Sequence, residues 1–214
     1  MAKAAGIYPT LVGSQQLQLP LVPIGDELAV ALLITVDHGV GFAERAGIEI
    51  AELLAPYNVE IVASVATMGI PMAIEISRAL GLDDYLILQK TPKIHLADAI
   101  VEPVRSITTD SQQRLLFDRE RVHAVVGRRV ALVDDVVSTG ASIRAALSLL
   151  RQVGADPVAV GTLLTEAGGW RETLGSDADL VHSLGSIPLF RKGPSGDYEE
   201  DWKGDEPLIS SSTS

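Results

Sequence analysis

The sequence predicts an α/β domain in which a mostly parallel sheet is flanked by helices. Three observations predict it. Short apolar runs of strand length alternate with longer stretches whose apolar residues recur at helical spacing. Turn-forming Gly, Pro and Asp residues punctuate the changes of period. The units repeat as strand, loop and helix, the order that right-handed crossovers between parallel strands produce.

The elements follow in chain order. Residues 28–36 read as a strand, closed by the turn-prone Asp37-His38-Gly39. Residues 42–54 place Phe42, Ala46, Ile50, Leu53 and Leu54 on one helix face, and Pro56 ends that helix. A short strand over 59–64 precedes a helix over 71–80, with Pro71 in its first turn and Gly81 at its C-cap. Residues 85–89 form the next strand. Residues 94–117 lack a helical period and read as an extended excursion, a hairpin. A buried strand over 130–133, a helix over 142–153 and a strand over 158–164 come next. A short helix over 170–174 and one or two short strands within 180–190 complete the set.

Residues 1–192 read as a single domain. Residues 193–214 read as an acidic, Ser-rich tail, disordered or loosely docked, because Asp197, Glu199, Glu200, Asp201, Asp205 and Glu206 face only Lys203 there. A length of 214 residues suits one domain, and 47% hydrophobic residues suffice for a sizeable core. The net charge of −11 argues against a broad polyanion-binding surface, so no nucleic-acid partner is expected. Without cysteine there is no disulfide framework and no thiolate chemistry. No secretory signal and no apolar run of membrane-spanning length is present, so the chain reads as soluble and cytoplasmic. The four histidines, His38, His95, His123 and His182, lack ligand spacing.

In parallel sheets ligands sit beyond the carboxyl ends of strands, so the loops after Ser64, Gln89 and Val133 carry the information. The last is the most specific. An apolar strand ends in Asp134 and Asp135, and Ser138-Thr139-Gly140-Ala141-Ser142 leads into a helix. Small hydroxylated residues before a helix expose amides that the helix leaves unsatisfied, and the helix dipole favours an anion there. The hydroxyls of Ser138, Thr139 and Ser142 add donors. Two carboxylates beside such a cradle would repel a phosphate. They make sense as acceptors for sugar hydroxyls or as anchors for a hydrated cation. An ordinary helix N-cap accounts for any one of these residues, but not for the whole run over 130–142. No Gly-Lys-Ser/Thr follows, so this is not a P-loop.

The run over 130–142 resembles the 5-phosphoribosyl-1-pyrophosphate (PRPP) motif of the type I phosphoribosyltransferases, within an adenine phosphoribosyltransferase-like purine group. The resemblance implies that Asp134 and Asp135 bind the ribose hydroxyls, and that Ser138, Thr139, Gly140, Ala141 and Ser142 wrap the 5′-phosphate. The segment 65–71 is similar to the family's pyrophosphate loop, implying diphosphate contacts from Thr67, Met68 and Gly69, with Lys90 and Lys93 as neutralising charges. Ala66 and Met68 stand where many purine-specific members carry an acid and a base, and Gln89 stands where an arginine is common. The excursion over 94–117 resembles a flexible β-hairpin lid, with Glu102 and Arg105 as catalytic candidates. Residues 184–190 resemble a small C-terminal hood, implying base contacts from Ile187, Leu189 and Phe190, with Val137 packed nearby.

The implied cofactor is Mg²⁺ carried by the diphosphate, with water-mediated contacts to Asp134 and Asp135. The implied partners are PRPP and a purine base, in a homodimer. Adenine is the favoured base, with xanthine and guanine left open. Hypoxanthine-guanine members carry an aspartate where Ser138 stands, which disfavours that subclass. The competing readings are a PRPP-sensing regulator that has lost catalytic charges and an unrelated nucleotide-binding domain.

Overall fold

The computed structural model describes residues 5–92, 98–104 and 114–202. The chain opens with an antiparallel hairpin, β1 (Gly6–Val12) and β2 (Gln15–Ile24), and β3 (Leu28–Ala31) pairs antiparallel with β2. Sequence reading left this hairpin unassigned, because the prolines at 9, 20 and 23 mask its alternation. The strand expected over 28–36 is shorter than its apolar run. Thr35–His38 coils into a 3-10 turn, with the Asp37 N–H donating to the Ile34 carbonyl at 3.0 Å, because the chain must leave the sheet to begin a helix at Gly39.

That helix, α1 (Gly39–Leu54), buries Phe42, Ala46, Ile50 and Leu54, the stripe that four-residue spacing dictates. Pro56 falls in a 3-10 turn, Ala55–Tyr57, that stops it. β4 (Ile61–Val65) is buried throughout, and α2 (Ile70–Ala79) starts with Pro71 in its first turn. The Gly81 N–H donates to the Arg78 carbonyl and the Leu82 N–H to the Ser77 carbonyl, at 3.1 and 2.8 Å, closing α2 where a C-cap was expected. β5 (Tyr85–Leu88) follows. β6 (Ile100–Pro103) and β7 (Arg114–Phe117) pair antiparallel, as the hairpin reading required.

The second half supplies β8 (Arg129–Val137), α3 (Ala141–Gln152), β9 (Asp156–Glu166) and α4 (Gly169–Leu174). It ends in β10 (Val181–Ser183), β11 (Ser186–Ile187), β12 (Leu189–Lys192) and β13 (Tyr198–Asp201). The central sheet has the order β10-β9-β8-β4-β5 and is parallel throughout, with β11 pairing the end of β9.

Strand alternation divides the core in two. Ile61, Ala63, Val65, Val130 and Leu132 face α3 and α4 on one side of the sheet. Val62, Ala131 and Val133 face α1 and α2 on the other. Burying a side chain such as Leu132 stabilises the fold by roughly 1.5–3 kcal/mol.

A second, antiparallel sheet has the order β1-β2-β3-β12-β13. It corrects the reading of residues 193–214 as a disordered or loosely docked tail, at least as far as Trp202. β13 pairs with β12 from Leu189↔Asp201 to Lys192↔Tyr198, and Tyr198 packs against the core. Cross-strand pairing of Arg191 with Asp201 and an apolar anchor outweigh an acidic composition there. Residues 203–214 lie outside the described residues. Among the described residues no helix is long and apolar enough to cross a membrane.

Candidate active site

Three strand ends converge on one cleft of about 290 Å³. It is lined by Ala66, Thr67 and Met68 after β4, by Lys90 after β5, and by residues from Asp134 to Ile143 at the end of β8 and the start of α3. The Ser64 hydroxyl donates to the Val133 carbonyl at 2.7 Å and ties the first of these ends to the third. Gly69 lies so close to this junction that an added Cβ would sit 3.0 Å from Asp134 Oδ1. A side chain there would force the pyrophosphate-like loop away from the carboxylates. The Ala66–Thr67 peptide in this loop is cis.

Asp134 and Asp135 lie within β8 rather than after it, since the strand runs on to Val137. The Asp135 N–H donates to Asp134 Oδ1 at 3.1 Å, and the Thr162 hydroxyl donates to the Asp135 carbonyl at 3.0 Å. Burial and the neighbouring Asp135 charge push the Asp134 carboxyl up to about 8, and Lys90 opposes them only in part. The cleft therefore holds a carboxylate whose ionisation is unfavourable until something with hydrogen-bond donors or positive charge arrives.

Beyond the acids the chain turns at Gly140, whose φ of 76° is left-handed and favours glycine. A Cβ there would also meet the Trp170 carbonyl oxygen at 3.1 Å. α3 starts at the next residue with no side-chain cap from Gly140, and the Ala141 N–H donates a long hydrogen bond to Thr139 Oγ1 at 3.4 Å. First-turn amides without such partners, at the positive end of the helix dipole, suit an anion.

The sequence-predicted residues divide as follows. Thr67, Met68, Lys90, Asp134, Asp135, Val137, Ser138, Thr139, Gly140 and Ser142 line the cleft together. Gly69 is buried beneath it, and Ala141 lies buried at the base of α3. Lys93 and Arg105 lie outside the described residues. Glu102 lines a different hollow, between the β6–β7 hairpin and α3, with Arg144 and Ser148.

The implied base contacts fare unevenly. Ile187 and Phe190 are buried in the core, and Phe190 stacks edge-on against Tyr8 with ring centroids 5.0 Å apart. Leu189 is half-buried in the antiparallel sheet, and none of the three lines the cleft. In the ligand-free protein the Ser138 hydroxyl donates to the Glu166 carboxylate.

Sequence reasoning missed Glu166, which is only 6% exposed. The strand predicted over 158–164 stopped two residues short of it. An acid ending a parallel strand beside Asp134 and Asp135 was the available signal.

The phosphoribosyl transferase domain model matches residues 43–198. An orotate phosphoribosyltransferase of Thermotoga maritima is 27% identical over 128 residues, 60% of this chain and 57% of that protein. A xanthine phosphoribosyltransferase of Laribacter hongkongensis is 28% identical over 157 residues, 72% of this chain and 77% of that protein. The chain spans only about half the length of the orotate enzymes it matches, 57% and 52% for two of them. In fold it is similar to the adenine phosphoribosyltransferase of Rhodothermus marinus, at TM-score 0.62 and 19% identity, with 85% of this chain and 94% of that one covered.

Proposed function

Because the chain belongs to the phosphoribosyl transferase domain family, we propose that it transfers 5-phosphoribose from PRPP to a ring nitrogen of a nucleobase and releases diphosphate. A purine is the proposed acceptor, with adenine favoured. Xanthine and orotate belong in the same test, because relatives carry those names. The observation that carries the reading is the juxtaposition, in one cleft, of Asp134 and Asp135 with the uncapped start of α3.

The ribose hydroxyls donate to Asp134 and Asp135, and the 5′-phosphate sits on the amides of residues 138–142 and the hydroxyls of Thr139 and Ser142. The diphosphate lies along Thr67, Met68 and Gly69, with Lys90 and Lys93 offsetting its charge. Val137 packs beside the base. The donor is thereby held with its anomeric carbon open to the incoming base, and catalysis is positioning and charge neutralisation. The donor set fits Mg²⁺: two adjacent carboxylates, one of which burial keeps from ionising until positive charge arrives. Bound with the diphosphate, Mg²⁺ would neutralise charge on the leaving group.

A sensor of the same ligand is the second reading, favoured by Ala66 and Met68 in the pyrophosphate-like loop. One experiment separates the two. Incubate the protein with PRPP, Mg²⁺ and adenine, xanthine, guanine or orotate in turn, and measure nucleotide and diphosphate. Turnover of any base supports the transferase. Donor binding by calorimetry without turnover leaves the sensor. Donor affinity no tighter than that for ribose 5-phosphate removes both.

A further inference from the structure

β4 is apolar except for Ser64, which is fully buried. Strand alternation turns Ser64 with Val62 to the side of the sheet that carries α1 and α2. There its hydroxyl donates to the Val133 carbonyl at 2.7 Å, the carbonyl of the peptide that leads into Asp134. The register Ser64↔Val133 already pairs the two strands, so this bond is additional to the ladder. Gly69, the N-cap of α2, packs against the same hydroxyl. A Cβ there would sit 2.1 Å from Ser64 Oγ and 3.0 Å from Asp134 Oδ1. The Gly69 φ of −75° is open to any residue, so glycine is required there by space and not by backbone conformation.

We propose that Ser64 is a positioning residue for donor binding: its hydroxyl, wedged between Gly69 and the Val133 carbonyl, sets the spacing between the 65–69 loop and the Asp134–Asp135 pair. This spacing role rests on the PRPP reading of the cleft, in which the loop meets the diphosphate and the carboxylates meet the ribose. The loop leaves β4 from a fixed point, where the Ala66 N–H donates to the Leu88 carbonyl at 2.9 Å. Its distance from the aspartates is therefore decided at its far end, by what Gly69 rests on. PRPP spans both halves of the site, and its affinity depends on their separation because one molecule has to satisfy both at once. Ribose 5-phosphate lacks the diphosphate and is indifferent to that separation.

Two ligands and three variants test it, with urea unfolding to check that each variant is folded. Ser64→Ala removes the hydroxyl and keeps the Cβ. By calorimetry with Mg²⁺, its affinity for PRPP should fall about three- to tenfold, while its affinity for ribose 5-phosphate stays within about twofold of wild type. In the transfer assay the same variant should raise KM for PRPP and leave KM for the base unchanged. Gly69→Ala presses a methyl on the hydroxyl and should weaken PRPP binding more than about tenfold. In the double variant Ser64→Ala/Gly69→Ala that methyl has room where the hydroxyl stood. The loss caused by Gly69→Ala should there shrink at least about threefold, a non-additivity that two independent defects do not produce.

Equal losses of PRPP and ribose 5-phosphate affinity in Ser64→Ala overturn the spacing role, because they mark a defect of the aspartates alone. So does unchanged PRPP affinity, or a Gly69→Ala loss of the same size in both backgrounds. Should Ser64→Ala not fold, Gly69→Ala decides with the same two ligands: a greater loss for PRPP supports the role, and equal losses overturn it. If the wild-type protein binds PRPP but forms no nucleotide with any base, the transferase reading fails by itself, and the two-ligand comparison still decides Ser64. A wild type that holds PRPP no more tightly than ribose 5-phosphate removes the donor reading and the spacing role with it.

Discussion

Residues 130–142 and residues 184–202 make an instructive pair. Both carried expected ligand contacts, and both lie next to strands of the central sheet. In the first, nearly every named residue lines the cleft. In the second, Ile187 and Phe190 face inward, and the acidic stretch beyond them forms a strand. The difference lies in what the residues need from elsewhere. A bend that presents amides is specified locally, by a glycine at φ 76° and small hydroxylated neighbours. Whether Phe190 meets a ligand or Tyr8 is decided by a strand some 180 positions upstream in sequence, a pairing local pattern does not encode.

The strongest way to break this contrast is Phe190→Ala. If that ring serves packing, its removal should cost about 3–5 kcal/mol of unfolding free energy, measured in urea, with PRPP affinity of the folded protein unchanged. A stable variant with weakened base binding would return Phe190 to the site. Asp135→Ala should do the opposite. We expect donor binding to weaken by about 1–3 kcal/mol by calorimetry, with little change in stability. Wild-type affinity would detach the aspartates from the ribose.

A pH series sharpens the first region further. Asp134 holds its proton up to about 8 in the folded chain, against an ordinary 3.8 when unfolded. Between those values the folded state binds the extra proton. Stability of the ligand-free protein should therefore fall as pH rises through that window, and Asp134→Asn should flatten the fall. PRPP affinity should rise over the same window as the acceptor ionises. A flat stability profile in the wild type would mean that neither burial nor the Asp135 charge holds the proton on Asp134. The smallest effect belongs to the second region. Arg191→Ala removes an exposed pair with Asp201 and should cost less than about 1 kcal/mol in thermal unfolding.

Much of the scaffold was legible because its signals are periodic. Phe42, Ala46, Ile50 and Leu54 gave α1, and the β-branched, helix-poor stretch around Ile100 and Phe117 gave a hairpin. The N-terminal hairpin was not legible, because Pro9, Pro20 and Pro23 sit inside strands where proline is tolerated only by virtue of position. Within the site, the phosphate-like bend and the acids were read from composition. The partner of Ser138 was not. Glu166 comes from the adjacent strand, and only the register Val137↔Thr165 brings it alongside.

The pairing of β3 with β12 has a consequence for how the chain is made. β3 (from Leu28) must wait, unpaired along one edge, until the ribosome has released β12 (from Leu189). Such late closure between distant segments slows folding. In the interval the bare edge of β3 is a template for pairing with another molecule. A chain stopped just before Leu189 would keep its sugar-phosphate cleft but carry that sticky border permanently, and would be expected to clump at concentrations where the full chain stays dispersed.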